Sequence, residues 1–198
     1  MLNREDLQLI SGIIPEKSSV LDLGCGDGVL LQELVEQKQI KALGIEISLE
    51  RIKSCLEKGV SVVQEDLNEG LKDFQDNSFD FIILSQTLEY IAKPIYFMKE
   101  MLRVGKRCII SFENLAYWKN RFAFLFKGDI KSGHSLNSGS NGGGKKQFLT
   151  VKKFIELSRV FKFKISKSIF LPQRRFNLTK IFPNLFSRIA VFMLENKI

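Results

Sequence analysis

Ser19-Val20-Leu21-Asp22-Leu23-Gly24-Cys25-Gly26-Asp27-Gly28 runs from a short apolar segment straight into three alternating glycines. Val20, Leu21 and Leu23 make the continuous apolar run of a strand covered on both faces. Asp22 interrupts that run near its carboxyl end. Gly24, Gly26 and Gly28 allow a sharp turn in which the backbone can approach a ligand with no Cβ in the way. Leu30, Leu31 and Leu34 then repeat at helical spacing. The segment therefore predicts a buried strand, a glycine turn and a helix. In open α/β sheets, ligands sit outside the carboxyl ends of such strands.

The spacing separates this turn from two other phosphate-binding loops. A dinucleotide fingerprint G-x-G-x-x-G needs glycine at position 29, where Val29 stands. A Walker loop needs Gly-Lys-Ser/Thr, which is absent. The remaining pattern, D-x-G-x-G-x-G, resembles that of the Rossmann-like S-adenosylmethionine (SAM) methyltransferases.

Working outward, apolar periodicity predicts a helix over Asp6–Ile14, closed by Pro15, and strands over Ser19–Leu23, Lys41–Ile47, Ser61–Glu65, Phe79–Ser85 and Arg107–Phe112. Helices lie between them, beginning at Leu30 and running over Leu49–Lys58 and Tyr96–Arg103. Strands that alternate with helices form a parallel, doubly wound sheet. Leu115–Phe126 is a further helix candidate, and Thr150 is placed to cap a helix over Val151–Phe161. Phe163–Phe170 and Ile189–Glu195 read as the last strands. The Ser/Gly-rich stretch at about 128–148 reads as a flexible loop within a single domain spanning 1–198.

Composition narrows the class. A chain of 198 residues, 44% hydrophobic and 26% charged, suits one globular domain. No apolar run approaches the roughly 20 residues of a membrane span. The polar start, Met1-Leu2-Asn3-Arg4-Glu5-Asp6, differs from a secretory signal. Cys25, Cys55 and Cys108 lack paired spacing, which argues against a disulfide framework or a zinc site and makes a cytoplasmic location the expectation. The single histidine, His134, falls in the loop and argues against a histidine-based metal centre or triad.

Charge is unevenly spread. Through Phe112, 13 Lys and Arg face 18 Asp and Glu; from Glu113 onward, 17 face 4, and most phenylalanines lie in this second part. Such a half suits an anionic membrane surface, an acidic partner or nucleic acid, or simply solvated lysines around a Phe core. No separate RNA-binding module is visible, which disfavours nucleic acid.

Several side chains fall at carboxyl ends of the strands. Glu46 ends the second strand, roughly 20 residues past the turn, where a carboxylate can accept from both ribose hydroxyls; alternatively it is a solvated strand-end acid. Asp66 follows the third strand and is open to two compatible roles, an adenine contact or a helix cap. Ser85 and Gln86 follow the fourth strand, where Gln86 is the polar candidate near an acceptor, or else a cap or surface residue. Cys25 reads as a small packing residue within the turn. No general base is assigned; Glu89, Tyr90 and Glu113 are the candidates, and methyl transfer can proceed largely by positioning.

A narrower resemblance rests on Val20–Gly28 together with Gly44-Ile45-Glu46, Gly59-Val60, Gln64-Glu65-Asp66-Leu67, Gly70-Leu71, Ser78 to Leu88, Met101-Leu102-Arg103-Val104-Gly105 and Ser111-Phe112. Trp118, Arg121 and Pro183-Asn184-Leu185-Phe186 fit as well. This set resembles the methionine biosynthesis protein MetW family over nearly the whole chain. The resemblance implies a class I SAM-methyltransferase fold, α/β and Rossmann-like, with about seven mostly parallel strands and helices on both faces. It implies SAM or S-adenosylhomocysteine (SAH) contacts at Asp22, Gly24, Cys25, Gly26, Gly28, Glu46, Ile47, Asp66, Leu67, Ser85 and Gln86, with Asp22 toward the ligand's amino end. It also implies a role in methionine biosynthesis as accessory partner of homoserine O-acyltransferase. The alternative is an active methyltransferase on a small-molecule or lipid-like acceptor. The chain departs from the family at Glu113, where proline is usual, and in the Ser/Gly/Asn stretch that replaces an aromatic, acidic segment before Thr150.

Overall fold

A computed structural model describes residues 2–128, 147–172 and 177–195. The elements are α1 (Glu5–Ile13), β1 (Ser19–Leu23), α2 (Val29–Lys38), β2 (Lys41–Glu46), α3 (Leu49–Glu57), β3 (Val62–Gln64), β4 (Phe79–Ser85), α4 (Pro94–Val104), β5 (Gly105–Glu113), α5 (Trp118–Lys127), α6 (Val151–Val160), β6 (Lys164–Leu171), α7 (Pro183–Phe186) and β7 (Ile189–Glu195). The strands form one sheet of seven in the order β3-β2-β1-β4-β5-β7-β6. β1 to β5 pair in parallel, and β7 runs antiparallel to both β5 and β6. The seven-stranded, mostly parallel α/β expectation is met.

Alternation along the strands sends side chains into two cores. Leu21, Leu23, Ile45, Ile82, Leu84, Cys108, Ile110 and Phe112 meet α4 and α6 on one face. There the rings of Phe112, Phe154 and Phe192 pack together, with centroids 4.5–5.9 Å apart. Val20, Phe81, Ile83 and Ile109 meet α1 and α2 on the other, through Ile10, Ile14, Leu30, Leu31 and Leu34. Near the amino ends of the strands, Asp80 accepts from the Ser19 amide and hydroxyl at 2.9 and 2.8 Å and from Lys106 at 2.8 Å, tying β1, β4 and β5 together.

Some boundaries moved for local reasons. β5 opens at Gly105, two residues before the expected Arg107, because the chain passes from helix to strand with no loop. A Cβ there would lie 2.5 Å from Ile82 Cγ1, so glycine is needed for close packing. Leu115 to Tyr117 form a turn, and α5 begins only at Trp118. The turn forms because Asn114 Oδ1 accepts from the Ala116 amide. Thr150 caps α6 by accepting from the Lys153 amide at 3.1 Å. The short helix α7 was not anticipated; Pro183 sits in its first turn. The expected flexible loop, with His134, Lys145 and Lys146, lies outside the described residues apart from its edges.

Candidate functional site

The order β2-β1-β4 makes the β1–β4 seam the point where connections leave in opposite directions, and crevices at such seams take ligands in α/β sheets. The residues there follow from register. Asp22 pairs with Ile83, and Ser85 with Ser111. Paired residues share a face, so Asp22, Glu46, Ser85 and Ser111 all project on the α1/α2 side. Asp22, Ser85 and Ser111 each stand two residues beyond an apolar residue of the core on that side: Val20, Ile83 and Ile109. Polar side chains thus replace apolar ones only where the strands emerge.

The turn after β1 is built as its glycines require. Gly24, Gly26 and Gly28 have φ of 74°, 63° and 75°, in the left-handed region. The Gly24 and Cys25 amides both donate to the Ile45 carbonyl, at 2.8 and 3.0 Å, which fastens the turn to β2. Cys25 packs against Gly44, where a Cβ would lie 2.5 Å from its Sγ. Its Sγ lies 3.9 Å from that of Cys55, and burial pushes the Cys25 thiol far above its ordinary range.

Glu46 is 5% exposed. Its Oε2 accepts from the Gly26 amide at 3.0 Å, and its Oε1 from the Ile47 and Ser48 amides at 2.9 and 3.0 Å. This is not a solvated acid: it clamps the glycine turn to the end of β2. A carboxylate offers about four acceptor positions. Three amides occupy most of them, which leaves room for about one further donor. Ile47 is exposed beside it.

Asp22 is 4% exposed, and its Oδ1 has no hydrogen-bond partner among the described residues. Burial raises its pKa to about 7; the positive Arg4 opposes this and the negative Glu46 adds to it. A buried carboxylate oxygen without a donor is costly. It is the feature expected where a cationic or hydrogen-bonding ligand completes the site.

Asp66 caps a turn of 3-10 helix over Leu67–Glu69, its Oδ1 accepting from the Asn68 amide and side chain, each at 2.9 Å. It remains half-buried, as does Leu67, at the carboxyl end of β3. Ser85 and Gln86 instead turn toward the start of the chain. Asp6 Oδ2 accepts from Ser85, Ser111 and Gln86 side chains at 3.0, 2.9 and 3.2 Å. Arg4 donates to Asp6 through Nε at 3.1 Å and Nη2 at 2.7 Å, and through Nη2 to Ser85 at 2.6 Å. Burial pushes the Asp6 carboxyl up, but the Arg4 hydrogen bond and charge, with Ser111 and Ser85, hold it below its ordinary value. Gln86 holds φ of 52°, uncommon for a residue with a side chain.

Sequence reasoning missed Arg4, Asp6 and Ser111. Helical spacing placed the first helix but not where its leading edge lands. Ser111 could have been found, since it ends β5 as Ser85 ends β4. Among the proposed bases, Glu89 is buried. The Glu89 carbonyl accepts from the Gln147 amide at 2.7 Å, tying the stretch before α6 to the turn that follows β4. No group of three or more metal-ligating side chains occurs among the described residues, and none of their helices is long and apolar enough to cross a membrane. The helix α5 buries none of its side chains among these residues; Phe122, Phe124, Leu125 and Phe126 stand exposed.

Comparison with known proteins agrees with this architecture. A bifunctional methionine biosynthesis protein MetXA/MetW from Rhodopirellula baltica is 38% identical over 131 residues, covering 62% of this chain and 21% of that protein. The chain matches only 21% to 34% of the length of such curated relatives. Among solved structures, a SAM-dependent methyltransferase from Archaeoglobus fulgidus superposes with a TM-score of 0.70 at 19% identity, over 96% of this chain and 91% of that one. The [4+2]-cyclase SpnF superposes with a TM-score of 0.67 at 16% identity, over 97% and 80%. These likenesses establish the fold of SAM-dependent methyltransferases, a fold that also carries a cyclase. The family model for methionine biosynthesis protein MetW matches residues 4–194, and this chain belongs to that family.

Proposed function

We propose that this protein binds SAM or SAH across the carboxyl ends of β1 to β4 and acts as an accessory partner of homoserine O-acyltransferase in methionine biosynthesis. The observation that carries the ligand reading is Asp22: a buried carboxylate with an unpartnered oxygen, at the seam of the sheet, one turn from a glycine loop. A ligand ammonium supplies the missing charge and donor. In this reading Glu46 accepts from a ribose hydroxyl, Asp66, just past the carboxyl end of β3, accepts from the adenine amino group, and the left-handed glycines 24, 26 and 28 keep the floor open; the fixed carboxylates and the glycine turn support it. Support for the partnership is separate: a relative joins a MetXA part to a MetW part in one polypeptide. The exposed aromatic face of α5 is the kind of surface a protein partner covers.

Calorimetric titration with SAM and SAH, beside Glu46→Ala, tests the ligand. Saturable binding by the wild type, lost in the variant, is expected. Co-purification with the acyltransferase tests the partnership; an acyltransferase equally active and never bound, with or without this chain, would refute it. Transfer of a labelled methyl group to any fraction of a cell extract would instead identify a working methyltransferase.

A further inference from the structure

The acidic character of the seam leaves one part of the proposed ligand unmatched. The amino-acid end of SAM or SAH carries an α-carboxylate beside its ammonium. Asp22 and Glu46 together would repel that carboxylate. Of the cations at this rim, Arg51 pairs with Glu46 at 3.8 Å, and Arg4 is the one whose field reaches Asp22. It stands just ahead of α1, with its side chain 44% exposed, while Asp6 beneath it is wholly buried.

Resting on the ligand reading above, we propose that Arg4 is the carboxylate-recognition group of this site, receiving the ligand's α-carboxylate while Asp22 receives its ammonium. The support around it is what such a task needs. A guanidinium has five N–H donors in a rigid fork. Nε and Nη2 are spent on Asp6 and Ser85, which fix the plane and aim of the group. The Nη1 pair lies outside those bonds. Asp6 is in turn fixed by Ser85, Ser111 and Gln86, from the ends of β4 and β5. The guanidinium is thus anchored to the sheet itself at the crevice, not carried on a loose terminus. A simple surface ion pair would contribute little and would need no such buried frame. Asp6 and Ser85 are positioning residues in this arrangement, and Ser85 serves the ligand through Arg4.

Three probes separate this role from a structural one: SAH, its decarboxylated analogue S-adenosyl-3-thiopropylamine, and 5′-methylthioadenosine, which lacks both charged groups. Calorimetry on the full chain is expected to show Arg4→Ala weakening SAH by about 10- to 100-fold, the loss of a charge-assisted contact, while the other two probes change by less than about twofold. Arg4→Lys should restore part of the SAH affinity. Because Arg4→Ala leaves Asp6 buried without its cation, Arg4→Met with Asp6→Asn is measured too, and the same selective loss is expected. Equal weakening of all three probes, or unchanged SAH binding by folded variants, overturns the assignment and leaves the ligand reading intact. Failure of the wild type to bind any of the three overturns both.

Discussion

Asp22→Asn should make the protein more stable in a way that depends on pH. In the unfolded chain this carboxyl ionises near its ordinary value of 3.8; in the native protein burial moves that to about 7. Below pH 4 both states hold the proton and Asp22 adds no pH-dependent cost. Between pH 4 and pH 7 the unfolded state has released its proton while the native state still binds it, so the native state loses ground as pH rises. Above pH 7 both are ionised and the cost saturates. The move from 3.8 to about 7, at about 1.4 kcal/mol for each tenfold change in proton affinity, gives about 4 kcal/mol. Asparagine keeps the shape and a buried polar group, whose own cost does not vary with pH. The variant's melting temperature should therefore pull ahead of the wild type's by roughly 8–16 °C between pH 4 and pH 8, at about 2–4 °C per kcal/mol for a chain of this size. Asp6 and Asp80, whose pKa values are lowered, lose their stabilisation in acid alike in both proteins and cancel in the difference. Thermal unfolding followed by circular dichroism across that pH range reads the effect. Parallel melting curves for the two proteins would refute the reasoning. If a ligand ammonium sits at Asp22, binding near pH 7 also releases a proton, so the calorimetric heat should vary with buffer ionisation enthalpy in the wild type only.

Glu46→Ala removes the acceptor of three part-buried backbone amides; chemical denaturation should show a loss of about 2 kcal/mol. Gly44→Ala drives a Cβ to 2.5 Å from Cys25 Sγ and should cost about 1–3 kcal/mol, part of it recovered with Cys25→Ala in a double-mutant cycle. Asn114 is 1% exposed; it donates to the Asn184 and Ser187 carbonyls at 3.0 and 2.9 Å and accepts from the Val151 amide at 3.3 Å. Asn114→Ala strands these groups and should cost about 2–4 kcal/mol, read as a lower denaturation midpoint with an unchanged slope.

Local chemistry made the frame of the fold legible. The run from Ser19 to Leu23, the glycines at 24, 26 and 28 and the apolar segments at Phe79–Ser85 and Ile189–Glu195 each name their own conformation, because burial on both faces and positive φ leave few residue types allowed. The same logic reached Asp22 and Glu46, since a charge that interrupts an apolar strand can be tolerated only where the strand ends. It did not reveal that Glu46 is spent on three amides, because partners 20 residues away in Gly26 and adjacent in Ile47 and Ser48 meet only once the turn has folded back. Nor could it bring Arg4 and Asp6 to Ser85 and Ser111, which lie 79 and 105 residues beyond Asp6. Periodicity reports which face of an element is apolar; it carries no record of which distant element that face will meet. The sequence by itself determined a parallel α/β sheet with a glycine turn and acids at its rim. Only the tertiary structure decided that the start of the chain lies across that rim, because strand order and register, not local propensity, set what converges at the carboxyl ends.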